Sequence, residues 1–272
     1  MTRVAQVFQQ TVAAERMAFM PFITAGDPDT ETTREVLLGL RDGGADLIEL
    51  GFPYSDPIAD GPVIQASYTR ALENGITVRQ IMDLMTGLKD AGLPPVMAMV
   101  SFAIMFRHGV SNFIRDAADA GFSGLIIPDL PADEAAETAE MAQAAGIDLV
   151  QLIAPTTTER RTEQILTASS GFLYCISVAG TTGARTELPE ELSAQLKSLR
   201  AASSLPLAVG FGISGPDQVA ALAGVADGVI VGSAIVRQLA EASSPAAAAE
   251  AARSFAAGMS QAVATARPSL QN

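Results

Sequence analysis

Histidine occurs once in this sequence, at position 108, and cysteine once, at position 175. A lone histidine in the loop-like Arg107-His108-Gly109 leaves a His-based nucleophilic triad without a ready site. With one cysteine beside it, no spacing reads as a zinc centre. A single thiol cannot close an intrachain disulfide, and Cys175, inside the apolar run FLYCISV, reads as a small core residue. Basic residues are also scarce: 17 against 30 acidic ones, a formal charge of −13. That balance argues against nucleic acid or an anionic membrane surface as partner. An anionic substrate would have to be held by local dipoles, because the overall field repels it. No apolar run approaches the roughly 20 residues needed to span a bilayer. Residues 1–19 lack the hydrophobic segment and cleavage site of a signal peptide and read as an amphipathic helix. The expected location is the cytoplasm.

Aromatic residues make up only 5% of the chain, yet apolar residues reach 49%. Short β-rich apolar runs recur: FMPFI from Phe19, DLIELG from Asp46, VMAMVS from Val96 and GLIIPD from Gly124. DLVQLIA from Asp148, FLYCISV from Phe172, LAVGFG from Leu207 and GVIVGS from Gly228 follow. Between them lie alanine-rich stretches of helical period, such as residues 30–45 and 131–146. The latter opens on Pro131 with an acidic first turn and closes at Gly146, good start and stop signals. Eight continuous apolar strands, each followed by helix, imply a parallel sheet covered on both faces. Eight such units and 272 residues fit an α/β fold, one (β/α)8 TIM barrel over residues 1–272 with an extra N-terminal helix. An open doubly wound sheet is the alternative. Residues 241–272 read as a last alanine-rich helix and a frayed tail.

Reactive residues of such barrels lie at the C-terminal ends of the strands and on the loops that follow. Glu49 sits inside the second apolar run, just before Gly51, and the loop after it carries Asp56 and Asp60 between prolines and glycines. A strand-end carboxylate in apolar surroundings has a raised pKa and can shuttle protons near neutrality. The plainer readings are a Glu49 neutralised by a buried base, and Asx turns at Asp56 and Asp60. A magnesium ion on the two aspartates is also left open, although no metal is nominated. Late in the chain, the turns Gly210-Phe211-Gly212-Ile213-Ser214 and Gly232-Ser233 follow strands seven and eight. Backbone N–H groups in such turns and a helix N-terminus suit a phosphate. The small, polar segment Ala179-Gly180-Thr181-Thr182-Gly183-Ala184-Arg185 after strand six suits a lid. No complete Walker A or dinucleotide fingerprint is present.

These residues together resemble the tryptophan synthase α-subunit family. ELGFPYSDPIADGP matches the family signature through its whole length, and residues 21–28, Thr182-Gly183, GFGIS and GSAIV match its first loop, lid and phosphate turns in order. The run Ser101-Phe102-Ala103-Ile104 departs from it, lacking the tyrosine and asparagine that the family usually carries after strand three. The resemblance implies retro-aldol cleavage of indole-3-glycerol phosphate, with Glu49 carrying the proton transfers and Asp60 accepting the indole N–H. It implies an apolar wall from Phe22 and Leu50, with Tyr174 also at the substrate. It further implies a phosphate site from Thr182, Gly183, Phe211, Gly212, Gly232 and Ser233. The chain itself would need no cofactor; pyridoxal phosphate would belong to a β subunit contacted through Asp56 and Pro57, in an α2β2 assembly. Another phosphate-binding barrel enzyme, such as a sugar-phosphate isomerase, and a non-catalytic regulatory barrel are the competing readings.

Overall fold

The computed structural model describes residues 1–57, 60–131, 134–176, 190–210 and 212–268. Its eight strands are β1 (Ala18–Thr24), β2 (Ile48–Gly51), β3 (Val96–Met99), β4 (Gly124–Ile126), β5 (Asp148–Ile153), β6 (Leu173–Ile176), β7 (Leu207–Gly210) and β8 (Gly228–Val231). They pair in chain order, all parallel, and β8 closes on β1 into a barrel. Each coincides with one of the eight apolar runs, β1 extending its run by one residue at either end. Both faces are buried, which is why the strands read as continuous apolar stretches instead of alternating ones.

The two faces nevertheless pack into different places. Met20, Met97, Ile126, Val150, Ala208 and Ile230 fill the barrel interior. Ile23, Ile48, Leu50, Leu125, Leu149 and Val209 face the surrounding helices. The first helix, α1 (Arg3–Ala13), covers the N-terminal mouth: Val4 and Phe8 join the interior cluster, and the Phe8 and Phe172 rings stand 5.6 Å apart. The outer layer continues with α2 (Thr30–Asp42), α3 (Pro62–Glu73), α4 (Val78–Thr86), α5 (Phe102–His108), α6 (Val110–Ala120) and α7 (Ala135–Ala144). It is completed by α8 (Glu159–Ala168), α9 (Glu190–Ala202), α10 (Ser233–Ala240) and α11 (Pro245–Ala264). After β7 the connection is a 3-10 helix, Pro216–Leu222. Among the described residues no helix is long and apolar enough to cross a membrane.

Two local expectations are corrected. α7 starts at Ala135, after a turn in which the Glu134 N–H donates to the Pro131 carbonyl, so Pro131 precedes the helix instead of opening it. His108 is the last residue of α5, with Nε2 2.8 Å from Asp116 Oδ2, and not part of a loop.

Helices α2 and α11 pack closely on each other. A Cβ at Gly39 would run into the Ala249 carbonyl oxygen, and one at Gly43 would meet Ala256 Cβ at 2.5 Å. Glycine inside a helix normally costs about 1 kcal/mol relative to alanine. Here close approach decides the sign, since overpacking costs about 1–3 kcal/mol. Gly39→Ala should therefore destabilise the chain by about 1–2 kcal/mol, measured as a lower urea midpoint at unchanged slope; a raised midpoint would show that the helices separate freely.

Candidate active site

Alternation along β2 determines what Glu49 sees. Leu47 points into the barrel with the interior cluster, Ile48 and Leu50 point outward, and Glu49 therefore points inward near the C-terminal mouth. It is fully buried, and among the described residues neither carboxylate oxygen has a hydrogen-bond partner. Burial alone pushes its pKa well above the usual carboxylate range. An unpaired charge there would be costly, so the protonated acid is favoured near neutrality. A Glu49 neutralised by a buried base is thus not what the structure contains.

Around this group the mouth is aromatic and apolar. Phe22 pairs in register with Glu49. Phe22, Ile64, Tyr68 and Val236 form a buried cluster, with Tyr54 and Met99 packed against it. Gly51 makes room: a Cβ there would lie 2.6 Å from Phe22 Cζ and 2.8 Å from the Tyr68 hydroxyl. Tyr174, on β6, brings its hydroxyl to 2.9 Å from the position of a Cβ on Gly210. The chain has three tyrosines, and all three gather here. Burial first, then negative charge at Asp60 and Glu49 among others, pushes the Tyr68 and Tyr174 hydroxyls well above their ordinary range. α3, which carries Tyr68, is tied to the loop after β1 by Arg70 donating to both oxygens of Asp27 at 2.8 and 2.6 Å. A Thr24–Ser67 hydroxyl contact of 2.6 Å adds a second tie.

Asp60 lies just ahead of α3, whose N-cap is Gly61 and whose first residue is Pro62. The Asp60 N–H donates to the Pro57 carbonyl at 3.1 Å, and Gln65 Nε2 donates to the Asp60 carbonyl at 2.8 Å. Its carboxylate takes no hydrogen bond from the described residues, and burial raises its pKa from 3.8 to about 6. The same charge and that of Asp129, added to burial, push Tyr54 up to about 12. Asp129, after β4, accepts from the Ser101 hydroxyl at 2.6 Å and the Phe102 N–H at 2.7 Å. The departure at Ser101 thus serves as the N-cap of α5 and ties two adjacent loops. Asp56 is exposed and Pro57 half-buried.

The late turns follow at the same mouth. Gly212 has a φ of 76°, which only glycine adopts freely, and among the described residues no atom beyond its chain neighbours lies within 4 Å of where its Cβ would be. Ser214 donates through its N–H (2.7 Å) and hydroxyl (2.9 Å) to Gln218 Oε1, fixing the turn. Gly232 is the N-cap of α10 and lies against Phe22, while Ser233 is exposed at its first position. No side chain caps this helix, so its first N–H groups are open to an anion.

Of the residues read from sequence, the structure brings Glu49, Asp60, Phe22 and Tyr174 together, with Gly212, Gly232 and Ser233 on the same rim. Leu50 is corrected: its side chain is in the outer core between sheet and helices, one residue out of phase with Glu49. Thr182, Gly183 and Phe211 lie outside the described residues. Tyr54, Tyr68, Met99 and Asp129 were not singled out, although Tyr54 stands inside the motif itself.

An inward, unpaired acid, a second carboxylate on the next loop and open amide-bearing turns define an acid–base enzyme of the (β/α)8 class acting on an aromatic, anionic substrate. The family model for the tryptophan synthase alpha chain matches residues 8–264. The tryptophan synthase alpha chain of Rhodopirellula baltica is 47% identical over 245 residues, covering 89% of this chain and 88% of that one. That of Prochlorococcus marinus is 48% identical over 236 residues, 86% of each chain. The crystal structure of tryptophan synthase subunit alpha from Legionella pneumophila superposes with a TM-score of 0.87 at 35% identity, covering 97% of this chain and 98% of that one. The chain belongs to the tryptophan synthase alpha chain family, carbon–carbon lyases that cleave indole-3-glycerol phosphate to indole and glyceraldehyde 3-phosphate.

Proposed function

We propose that Glu49 is the single proton carrier of this cleavage and Asp60 the anion that accepts the indole N–H. The reading rests above all on the buried, unpartnered carboxyl of Glu49. Protonated Glu49 delivers its proton to C3 of the indole ring, and positive charge develops at the ring nitrogen, where Asp60 stabilises it. The Glu49 carboxylate then takes the proton of the glycerol hydroxyl on the carbon bonded to C3. The C–C bond breaks, its electron pair returns to the ring, and the aldehyde leaves. Glu49 ends each cycle protonated, so no net proton is required. Phe22, Tyr68 and Met99 exclude water around the ring. The phosphate sits on the turns at Gly212 and Gly232-Ser233, together with Phe211 and, from the lid, Thr182 and Gly183.

Family membership implies a β-chain partner. We extend it to an α2β2 assembly in the cytoplasm, with pyridoxal phosphate held by the β chain and no cofactor in this one. Exposed Asp56 and neighbouring Pro57 are the proposed contact.

Ionisation states supply the test. Asp60 must be charged and Glu49 protonated at the start of a cycle. The Asp60 pKa is raised to about 6, so kcat/KM should fall about tenfold per unit as pH drops below 6. Ionisation of Glu49 should give an alkaline limb. Asp60→Asn should lower activity and erase the acid limb; an unchanged limb in that variant would assign it to another group.

The phosphate assignment makes a separate prediction. Ser233→Ala removes a donor to a charged group, worth roughly 1.5–3 kcal/mol, so glyceraldehyde 3-phosphate should bind about tenfold or more weakly. Gly212→Val should do at least as much, by strain at positive φ and by filling the open space. Indole binding should change little. Equal losses for both ligands would point to misfolding.

A further inference from the structure

At the end of the barrel opposite Glu49, a groove of about 680 Å³ runs between α7 and α8 down to the start of β5. Asp148 lines it. This residue is only 3% exposed, and among the described residues its Oδ2 has no hydrogen-bond partner and Asp148 joins no ion pair. On the adjacent strand start, the buried Ser123 hydroxyl is also unpaired. Glu140 from α7 and Glu163 from α8 add two exposed carboxylates to the rim, and among the described residues no lysine or arginine lines the groove. Neither helix has a basic residue in its last turn. Both therefore present uncompensated carbonyl dipoles toward the same end. An anionic wall of this kind, with one buried carboxylate oxygen left unpaired among the described residues, suits a cation. Among the described residues no three acidic, histidine or cysteine side chains are close enough to hold a metal ion. The negative charges are spread along the groove instead, over a floor that includes Ala139, Ile147 and Ala168.

We propose that this groove binds a linear aliphatic polyamine, one ammonium at Asp148, another toward Glu140 and Glu163, and methylenes over the alanines. The site is separate from the catalytic mouth, so lyase activity reports folding independently. The test is isothermal titration at low salt with 1,4-diaminobutane and spermidine, with 1,4-butanediol as uncharged control and Mg²⁺ as a simple cation. The expected result is saturable one-to-one binding of the amines, none of the diol, and no displacement by equimolar Mg²⁺. Asp148→Asn should weaken the amines at least tenfold while retaining lyase activity. If Asp148→Asn fails to fold, the Glu140→Gln/Glu163→Gln pair on the exposed rim should produce a weakening of several-fold. No saturable binding at millimolar amine would overturn the proposal. So would displacement by equimolar Mg²⁺, or affinity unchanged in every folded variant, either of which would reduce it to diffuse attraction by a chain of charge −13.

Discussion

Glu49→Gln should lower kcat/KM for indole-3-glycerol phosphate by about 10²–10⁴-fold or more, while substrate affinity stays near the wild-type value. Loss of one positioned acid or base typically costs that much. On the proposed mechanism one carboxyl serves both transfers, so the loss should lie at the upper end or beyond. Glutamine keeps the shape and fills the same space between Phe22 and Tyr174, but its amide neither gives nor takes a proton in this range. The same change should not cost stability near neutrality. Burial raises the Glu49 pKa in the folded chain, so above the unfolded value of about 4.5 the folded state binds more protons than the unfolded state, and stability falls as pH rises. Replacing the acid removes that penalty. An inactive but equally stable variant is the expected pair of results. A variant that releases indole at the wild-type rate would remove Glu49 from the chemistry.

The second large effect concerns the partner. Asp60 belongs to a segment rich in proline, glycine and small polar residues, held by Gln65 through the Pro57 and Asp60 carbonyls, with exposed Ser55 and Asp56 at its tip. Little apolar area there offsets the entropy of ordering. On the proposed mechanism catalysis requires Asp60 at the ring, and turnover scales with the fraction of molecules that place it there. A β chain seated on Tyr54, Asp56 and Pro57 would raise that fraction. Saturating cognate β chain should therefore raise indole turnover by about an order of magnitude or more, with the larger change in kcat. Asp56→Ala should lose much of this activation and retain basal cleavage, because the exposed Asp56 has its proposed role in the partner contact and not in the proton transfers. The assay is a turnover titration with β chain for both proteins. Full speed without any partner would define a stand-alone lyase.

How far the site could be read in advance varied with the kind of signal. The eight strands were legible because strands buried on both faces are unbroken apolar runs, and Glu49 stood out as the one charge within such a run before a glycine. The α7 start was misjudged because Pro131 is a good first-turn residue in isolation, whereas here a turn between Pro131 and Glu134 precedes the helix. Leu50 was misassigned for a simpler reason. Adjacent residues on a strand face opposite sides, and an apolar residue next to Glu49 looks like pocket wall only when that phase is ignored. Tyr68 and Met99 reach the mouth from α3 and β3, a convergence of distant segments that no local spacing encodes. Asp129 was hidden similarly, since its role depends on Ser101 and Phe102 across the rim.

On the proposed mechanism Glu49 waits as a neutral acid in the free enzyme at neutral pH. Infrared difference spectroscopy of wild type minus Glu49→Gln, at pH 7 in ²H₂O, tests it directly. The account predicts a protonated-carboxyl carbonyl band present in wild type, absent in the variant and lost only as pH rises into the alkaline limb of kcat/KM. A difference spectrum showing only ionised carboxylate bands at pH 7 would contradict it.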